Sequence, residues 1–537
     1  MATLQKEGSD RGRGGTGRSA GDGSSCGSSI SIDDAVSADL LHNILSRLPA
    51  SSFASAACVN HSWNTICSRI ISSPKLSSAL SLSLSLSEAV NEVFEKVLST
   101  PIRPQFAIVY VGPNFYPEAH TLITKRLGAG IPVITCSTDG IIGRDALTDE
   151  FKEVMWETTE DESDEYGFGI LLTVGYLPGV KANLIPMSAR DQELRGPFSD
   201  EFVMDIREYT SSVSGSASPS GIILFGDLKV DMKPVLQKLD FAFPSGTIIV
   251  GERGGQYSYR SNWQRRTRKR EYIVPAVALV FAKDRNKPPG IGDTQFHVAM
   301  STGVRPVGPK YKAASVKEKR NVLSTWLSAR REGDNENLDG ETLLDNVYNQ
   351  TGGLTGNTAM YIGVRKRRKC SIGSEKVRWQ TFLEFHQVFG GDEEYLYVNE
   401  VGIKTGDPFQ FYVSDSGIAM SSCNNISEKF RCLKEDMEKK VDQQSNLQET
   451  VFGGFIFACS GRGEFFFGRP DVDSSPFLEN FPGVTLAGTF CNGEIKRGDI
   501  EEYGEEEDEE AQGVAECCFL HMFSTVYLLF SYIPAQA

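Results

Sequence analysis

The stretch TFCNGEIKRGD, Thr489 to Asp499, places a lone carboxylate, Glu494, directly after the pair Asn492-Gly493. A carboxylate at this position could bind an amine or a guanidinium group of a ligand. General acid or base catalysis needs a partner group, and no second carboxylate or histidine stands at a motif spacing from Glu494. The stretch therefore indicates either a ligand-binding turn or a turn that only reverses the chain.

A second copy of the pattern favours the structural interpretation. VITCSTDGIIGR, residues 133–144, aligns without a gap with LAGTFCNGEIKR, residues 486–497, and Gly140 then corresponds to Gly493. Asp-Gly and Asn-Gly tolerate a positive φ and are therefore typical of tight turns. We expect equivalent turns in two related parts of one fold, with Glu494 as the distinctive feature of the second.

The run Ser460-Gly461-Arg462-Gly463 follows an apolar segment. Two glycines around an arginine could let backbone amides and a guanidinium contact an anion, although a packed turn is the alternative. The chain has neither GxxxxGK[ST] nor a GxGxxG after a strand, so nucleotide binding is not predicted. A small ligand would lie between the turns at Gly140, at Gly461, Arg462 and Gly463, and at Gly493 and Glu494.

Other residue types give weaker indications of chemistry. The six histidines form no H-x3-H or HExxH pattern, so neither a metal nor another cofactor is predicted. Cys459 and Cys491 stand beside the glycine-rich turns and could approach each other. Without a histidine nearby, we expect them to be buried small hydrophobic residues rather than nucleophiles.

Two basic clusters, RRTRKR at residues 265–270 and RKRRK at residues 365–369, could be nuclear-import signals or could contact nucleic acid. Solvated loops are the alternative. The formal net charge of -15 and the absence of zinc-finger, RRM or helix-turn-helix patterns argue against a nucleic-acid partner. We expect both clusters to lie in exposed loops.

Composition sets the class of protein. A chain of 537 residues predicts two or three domains, and 40% hydrophobic with 23% charged residues is ordinary globular composition. Eleven cysteines without CxxC pairs favour a reducing compartment. The apolar segment FLHMFSTVYLLFSYI is too short to span a bilayer, so we expect a buried terminal strand and no membrane partner. The acidic run 501–510 is expected to be a solvated, disordered insertion.

From residue 104 the chain alternates strand and helix patterns. QFAIVYV, AHTLITKRL and GIPVITCSTDG form the first strand-helix-strand unit, and the order returns at SGIILFGD, KPVLQKLDF and GTIIVGERGG. A third unit surrounds GGFIFACSGRG and GVTLAGTFCNG. This order predicts an α/β fold with helix-covered sheets. Residues 316–331, VKEKRNVLSTWLSARR, and residues 341–349 are predicted helices near a boundary between two lobes.

The N-terminal region has a different pattern. Residues 1–30 are rich in Gly, Ser and Arg and are expected to form a disordered leader. Apolar residues from Leu40 to Leu48 follow helical spacing until Pro49, and two further short helices are expected after it. About forty residues of short helices bury too little surface to be stable alone, so a docking module is predicted, with a helical cap of unrelated function as the alternative.

The N-terminal pattern resembles an F-box over residues 33–75. The resemblance implies binding to the Skp1 adaptor of cullin ubiquitin ligases. It rests on apolar residues whose order matches that motif: Leu40, Leu41, Ile44, Leu45, Leu48, Pro49, Phe53, Val59 and Trp63.

The remainder resembles a FIST domain. FACSGRGEFFFGRP, GTFCNGEI and FLHMFSTVYLLF follow the order of its C-terminal part, and CSTDGIIGRD matches its early turn. An F-box followed by FIST is the layout of the F-box only protein twenty-two family and its plant counterparts. The expected fold class is α/β (α+β), a helical F-box followed by two related FIST lobes. The expected boundaries are a leader at 1–30, an F-box at 33–75, a linker and helix at 76–103, an N-terminal lobe at 104–310, a helical inter-lobe segment at 311–350 and a C-terminal lobe at 351–533 with an acidic insert at 499–512.

This resemblance implies a non-catalytic substrate-recognition subunit of an SCF E3 ubiquitin ligase in the cytoplasm and nucleus. The F-box would bind a Skp1-like adaptor and, through it, cullin and a RING protein, while the FIST lobes would recruit an unknown target protein. The alternative function is sensing of a small, amino-acid-like ligand. No L-x-x-L-x-L-x-x-N unit recurs at a fixed period, so a leucine-rich solenoid is not expected.

Overall fold

A computed structural model describes residues 37–156, 167–189, 198–263, 273–352, 358–439, 448–498 and 517–535. The predicted leader, the RRTRKR cluster and the acidic insert lie outside these residues. The helices in the described part of the chain are α1 Ala38–Leu45, α2 Ala50–Ala56, α3 His61–Ile71, α4 Leu86–Val97, α5 Glu118–Leu127, α6 Phe198–Ser214, α7 Lys233–Ala242, α8 Gly340–Thr351, α9 Ser416–Lys439, α10 Glu464–Phe467 and α11 Ser475–Asn480.

Strands make up most of the body of the protein. In chain order they are β1 Lys75–Ser81, β2 Phe106–Val111, β3 Val133–Ser137, β4 Gly140–Arg144, β5 Phe151–Met155, β6 Ile170–Tyr176, β7 Val180–Ala189, β8 Gly221–Asp227, β9 Ile248–Gly254, β10 Tyr257–Arg260, β11 Ile273–Lys283, β12 Asp293–Thr302, β13 Val304–Lys319, β14 Ser324–Arg331, β15 Met360–Cys370, β16 Arg378–Gly391, β17 Leu396–Asn399, β18 Pro408–Ser414, β19 Thr450–Cys459, β20 Thr485–Cys491, β21 Glu494–Gly498, β22 Cys517–His521 and β23 Ser524–Ile533.

Within the described residues these strands form three mixed sheets and one closed barrel. Sheet I has the order β1-β6-β2-β3-β10, sheet II the order β22-β21-β9-β8-β11-β7, and sheet III the order β12-β23-β19-β20-β4-β5. The barrel has the order β13-β14-β17-β16-β15-β18.

Each sheet contains a parallel pair, namely β2 with β3, β8 with β9, and β19 with β20. Helices connect the members of each pair, because parallel strands need a long crossover. These pairs are the strand-helix-strand units that the sequence predicts, and the α/β fold class is confirmed.

The sheets are joined in a cycle by strands that cross from one to the next. β3 belongs to sheet I and continues into β4 of sheet III, β20 of sheet III continues into β21 of sheet II, and β9 of sheet II continues into β10 of sheet I. Residues from both sides of the predicted lobe boundary therefore share sheets II and III. The boundary does not separate two independent sheet systems.

The core lies between the sheets. Their inner faces share one apolar cluster that includes Phe106 of sheet I, Phe225 of sheet II and Phe455 of sheet III. Helices cover the outer faces: α4 and α5 pack on sheet I, α6 and α7 on sheet II, and α9 and α11 on sheet III. Such helix-covered sheets were predicted.

The predicted helix at residues 316–331 is wrong, because this segment supplies β13 and β14 of the barrel. Val316 pairs with Leu327 and Lys317 with Trp326, and Leu327 and Ala329 are buried in the barrel. The charged residues of this segment are compatible with a helix, but pairing between the two strands of the hairpin determines its structure. The later helical prediction agrees with α8, whose N-cap Asp339 accepts a 2.7 Å hydrogen bond from the Thr342 amide.

The first residues of the predicted linker and helix at 76–103, the serine- and leucine-rich residues 76–81, belong to a strand instead, whereas α4 is the helix of that segment. β1 pairs antiparallel with β6, and Leu76 and Leu80 are buried in the central core. Period-two alternation fits such a strand, which has one face in the core. The predicted single terminal strand is likewise divided into β22 and β23.

The N-terminal helices form a small separate core from Leu41, Leu45, Phe53, Ile66 and Cys67. Side chains cap both longer helices: Ser37 accepts from the Leu40 amide and Asn60 from the Trp63 amide. Among the described residues, no helix is long and apolar enough to cross a bilayer.

The barrel generates the first prediction. Phe411 is fully buried inside it, whereas Phe389 of β16 is exposed. Phe411→Ala should lower the free energy of unfolding by about 3–5 kcal/mol, because it leaves a cavity, while Phe389→Ala should change it by less than about 0.5 kcal/mol. Denaturant titration measures both. Equal effects would contradict the barrel packing.

Candidate functional site

The first candidate site is the outer face of the N-terminal helices. Leu40 and Ile44 stand four residues apart on α1 with 53% and 48% of their surfaces exposed, and Val59 after α2 is exposed as well. Side chains at i and i+4 lie on the same face of a helix, so Leu40 and Ile44 form an apolar pair that faces solvent.

The other residues of the predicted Skp1-binding set have different positions. Leu41, Leu45 and Phe53 form the interior of the helical domain. Leu48 and Trp63 are half-buried against that interior, and Pro49 is exposed at the start of α2. The structure thus divides the predicted set into residues that hold the domain together and residues that are open to a partner.

The second candidate site lies where the sheet-crossing turns meet. The Asn492 side chain donates to the Asp139 carboxylate, the Arg253 amide donates to the Gly493 carbonyl at 2.8 Å, and the Ser137 amide donates to the Gln256 carbonyl at 2.8 Å. The turns after β3, β9 and β20 are therefore linked in a closed cycle, which we call the turn ring. The structure brings the predicted turns at Gly140 and Gly493 together in this ring.

The reason for glycine in the ring is crowding rather than φ. Asp-Gly and Asn-Gly tolerate a positive φ, but neither Gly140 nor Gly493 adopts one. A Cβ at Gly140 would lie 2.3 Å from the Val154 carbonyl oxygen, and one at Gly255 would lie 2.3 Å from that of Ser137. No side chain fits at these distances, so glycine allows the crossing strands to approach.

Glu494 is fully buried, contrary to its predicted role as an accessible ligand-binding carboxylate. Its Oε2 accepts hydrogen bonds from the Ser524 hydroxyl at 2.6 Å and the Ser524 amide at 3.3 Å, and the Cys491 thiol lies 3.7 Å from Oε1. Burial raises the pKa of the carboxyl to about 8. The group is therefore mainly neutral at pH 7.

The sequence did not single out a second buried carboxyl, Glu252, at the end of β9. Its Oε2 and the hydroxyl of the neighbouring Tyr110 have no hydrogen-bond partner among the described residues. Burial, followed by the charge of Asp139, raises the pKa of Glu252 to about 8. The sequence does contain a signal for Glu252: its segment GERGG ends the second strand-helix-strand unit, and the other two units have their crossing turns at the same point.

Arg462 is not available to a ligand. Its guanidinium binds both oxygens of Asp473, at 3.0 and 2.7 Å, and donates to the Phe523 carbonyl at 2.8 Å. Both members of this ion pair are buried. The predicted anion site at Gly461, Arg462 and Gly463 is therefore wrong in this structure, because an internal carboxylate already occupies the guanidinium. Gly463 adopts a φ of 99° before α10, and a Cβ on Gly461 would collide with the Phe523 ring.

The remaining predictions concern cysteines and basic residues. Cys459 and Cys491 are opposite each other on β19 and β20 and are buried, and burial raises the pKa of both thiols.

The RKRRK cluster lies on strand β15, not in a loop. No group of three or more potential metal ligands occurs among the described residues.

Comparisons with known proteins match this organisation. The family model of the F-box domain matches residues 37–72, and that of the FIST N domain matches residues 105–325. An F-box/LRR-repeat protein of Arabidopsis thaliana is 44% identical over 506 residues, which cover 93% of each chain. The name of that relative refers to leucine-rich repeats, whereas the described residues here form mixed sheets and a barrel.

More distant relatives share shorter segments. F-box only protein 22 of Homo sapiens is 28% identical over 140 residues, which cover 24% of this chain and 34% of that protein. An uncharacterized protein of Mycobacterium tuberculosis is 31% identical over 94 residues, or 17% of this chain and 21% of that protein.

Burial of Glu494 predicts a pH dependence of stability. The pKa of the Glu494 carboxyl is about 8 in the folded protein, compared with 4.5 for an ordinary glutamate, as in the unfolded chain. Between these values the folded state keeps a proton that the unfolded state loses. The stabilisation present below pH 4.5 is therefore lost as the pH rises, by up to about 1.4 kcal/mol per pH unit.

The variant Glu494→Gln cannot titrate at this position. Its free energy of unfolding should increase relative to wild type from pH 5 to pH 8, as measured by denaturant titration at each pH. Parallel stability curves for the two proteins would show that Glu494 is already charged in the folded state at pH 5.

Proposed function

Because this chain belongs to the family of F-box proteins that carry a FIST domain, we propose that it is the substrate-recognition subunit of an SCF (Skp1-cullin-F-box) E3 ubiquitin ligase. In this role it catalyses no reaction itself. The N-terminal helices bind a Skp1-like adaptor, which connects them to cullin and a RING protein, and the three-sheet body recruits the target in the cytoplasm and nucleus.

The exposed pair Leu40 and Ile44 is the observation that carries the adaptor role. Both side chains are exposed to water in the free protein. Burial of a large apolar side chain by a partner favours binding by about 1.5–3 kcal/mol when burial is complete. The interior formed by Leu41, Leu45 and Phe53 fixes the helices, so the pair is presented on a preformed surface.

The body has the properties expected of a rigid platform. Its sheets share one core and are tied together at the turn ring. The carboxyls of Glu252 and Glu494 near the ring are buried, and Arg462 forms a buried ion pair with Asp473. These features support a role in presenting a surface to a target.

Co-purification with Skp1 tests the adaptor role. The double variant Leu40→Asp with Ile44→Asp should retain less than about a tenth of the wild-type Skp1, because charges in the apolar contact are costly to desolvate. Both side chains are exposed in the free protein, so the variant should fold with an unchanged thermal midpoint.

The matched control is Leu84→Asp with Leu147→Asp, which places the same charges at exposed leucines of the body. This control should recover Skp1 as wild type does. Equal recovery of Skp1 by the Leu40 and Ile44 variant and by wild type would overturn the assignment.

A second candidate function is sensing of a small, amino-acid-like ligand at the turn ring. The unpartnered Glu252 Oε2 and Tyr110 hydroxyl favour it, since buried polar atoms without partners are costly and a ligand with N–H or O–H groups would satisfy them. Both atoms belong to strands that run towards the ring, and carboxyl ends of parallel strands are common ligand positions.

Thermal unfolding with each of the common amino acids at about 5 mM tests this function, because a ligand that binds only the folded state must raise the midpoint. We expect one class of amino acid to raise the wild-type midpoint and to have no effect on Glu252→Gln. No shift with any amino acid, or the same shift in both proteins, would reject the ring as the sensing site.

A further inference from the structure

The distal half of β15 and the strand opposite it form a surface that the proposed function does not assign. Arg367 and Lys369 point outward from β15, and Trp379 of β16 lies opposite Lys369 in the strand register. The two cationic groups lie over the Trp379 ring, at 5.3 Å for Arg367 and 5.0 Å for Lys369. We call these three residues the cationic hairpin face.

Alternation along β15 separates cations that pair with a carboxylate from cations that do not. Lys366 and Arg368 point inward and both bind the Glu384 carboxylate, at 2.5 and 2.8 Å. Arg367 and Lys369, in contrast, make no ion pair with a carboxylate of the described chain. Their positive charge is therefore directed to solvent, in a protein whose formal net charge is -15.

The hairpin is held in place by contacts on its inner side. The Gln380 side chain donates to Asp240 of α7 at 3.1 Å, and the Arg378 guanidinium lies over the Phe241 ring. In the connecting loop, the Gly373 amide donates to Asp200 and Glu375 pairs with Arg207 of α6. Glu375, the one acidic residue of the loop, is thus paired with Arg207, and the contacts hold the hairpin against α6 and α7.

The same half of β15 has an open edge. β18 pairs with β15 only from Met360 to Val364, and no strand in the described part of the chain pairs with that edge beyond it. An edge strand offers backbone N–H and C=O groups to an added strand, and extended peptides bind domains in this way. Side chains of the added strand would then meet the cationic hairpin face.

We propose that the edge of β15 at residues 366–370 binds an extended acidic segment of a partner protein, which adds as a strand and places its carboxylates against Arg367 and Lys369. Trp379 holds the two cations over its ring, so that less side-chain freedom is lost on binding. Nucleic acid fits this surface less well, because its affinity depends on a long track of phosphate contacts and this face is a single hairpin.

Fluorescence anisotropy of the full chain with labelled decaglutamate tests the proposal. Arg367→Glu with Lys369→Glu should weaken binding at least tenfold, and Trp379→Ala should weaken it about threefold. The control Lys404→Glu with Lys429→Glu makes the same change of net charge at two exposed lysines, one in the segment after β17 and one on α9. It should change the affinity less than about twofold, since distant charges are screened by salt.

Ligand controls separate strand addition from simple charge attraction. Decaglutamate that is N-methylated at every residue keeps its charge but cannot form the ladder, and it should bind at least tenfold more weakly. Equal binding of both peptides, or equal affinity of the charge-reversed variant and wild type, would overturn the proposal. A ten-nucleotide single strand that binds more tightly than the peptide would identify a nucleic-acid surface instead.

The chain's own acidic run, 501–510, has the same chemistry as the proposed partner. A chain in which this run is replaced by Gly and Ser should bind decaglutamate as wild type does, or more tightly by a small factor. Binding seen only in the replaced chain would contradict a partner-protein occupant. No adaptor is present in this assay, so its failure would leave the Skp1 assignment untouched.

Discussion

The hydrogen-bonded turn ring is the constraint on which the body of the protein depends. Strands leave one sheet after β3, β9 and β20 and enter the next, so each sheet contains a strand that another sheet's unit supplies. The crossings bring backbone so close that Gly140 and Gly255 leave no space for a Cβ. Because the cycle is closed, each sheet is tied to the other two, and their inner faces share one apolar core.

Local patterns predicted the parts of the fold that are decided locally. Buried runs such as QFAIVYV followed by amphipathic helices indicate parallel strand-helix-strand units wherever they occur. The segment at 316–331 and β1 were mispredicted for a different reason. Their structure depends on partners distant in sequence: Leu80 faces Leu171 of β6, and β13 also needs β18 to close the barrel. In the sequence, the charged residues on one face of a hairpin can have a pattern similar to that of a helix, and only the partner strand distinguishes the two.

The candidate sites show the same division. Helical spacing found Leu40 and Ile44, but it could not distinguish them from Leu41 and Leu45, because only the packing of α1 on α3 determines which side faces solvent. Arg462 and Glu494 stand beside glycines, which suggested accessible turns. In the structure, however, these glycines are found where neighbouring segments pack closely. A ligand hypothesis at a glycine-rich turn thus requires burial information that the sequence does not contain.

Under the proposed function, two parts of the chain have separate tasks. The three short N-terminal helices bind an adaptor through exposed apolar residues, and the body of three sheets and a barrel recruits the target. Hydrogen-deuterium exchange of the full chain with and without Skp1 tests this separation most directly. Skp1 should slow amide exchange in residues 38–71 and leave the exchange of β2, β8 and β19 unchanged. Slower exchange in those central strands with no change in residues 38–71 would contradict this separation.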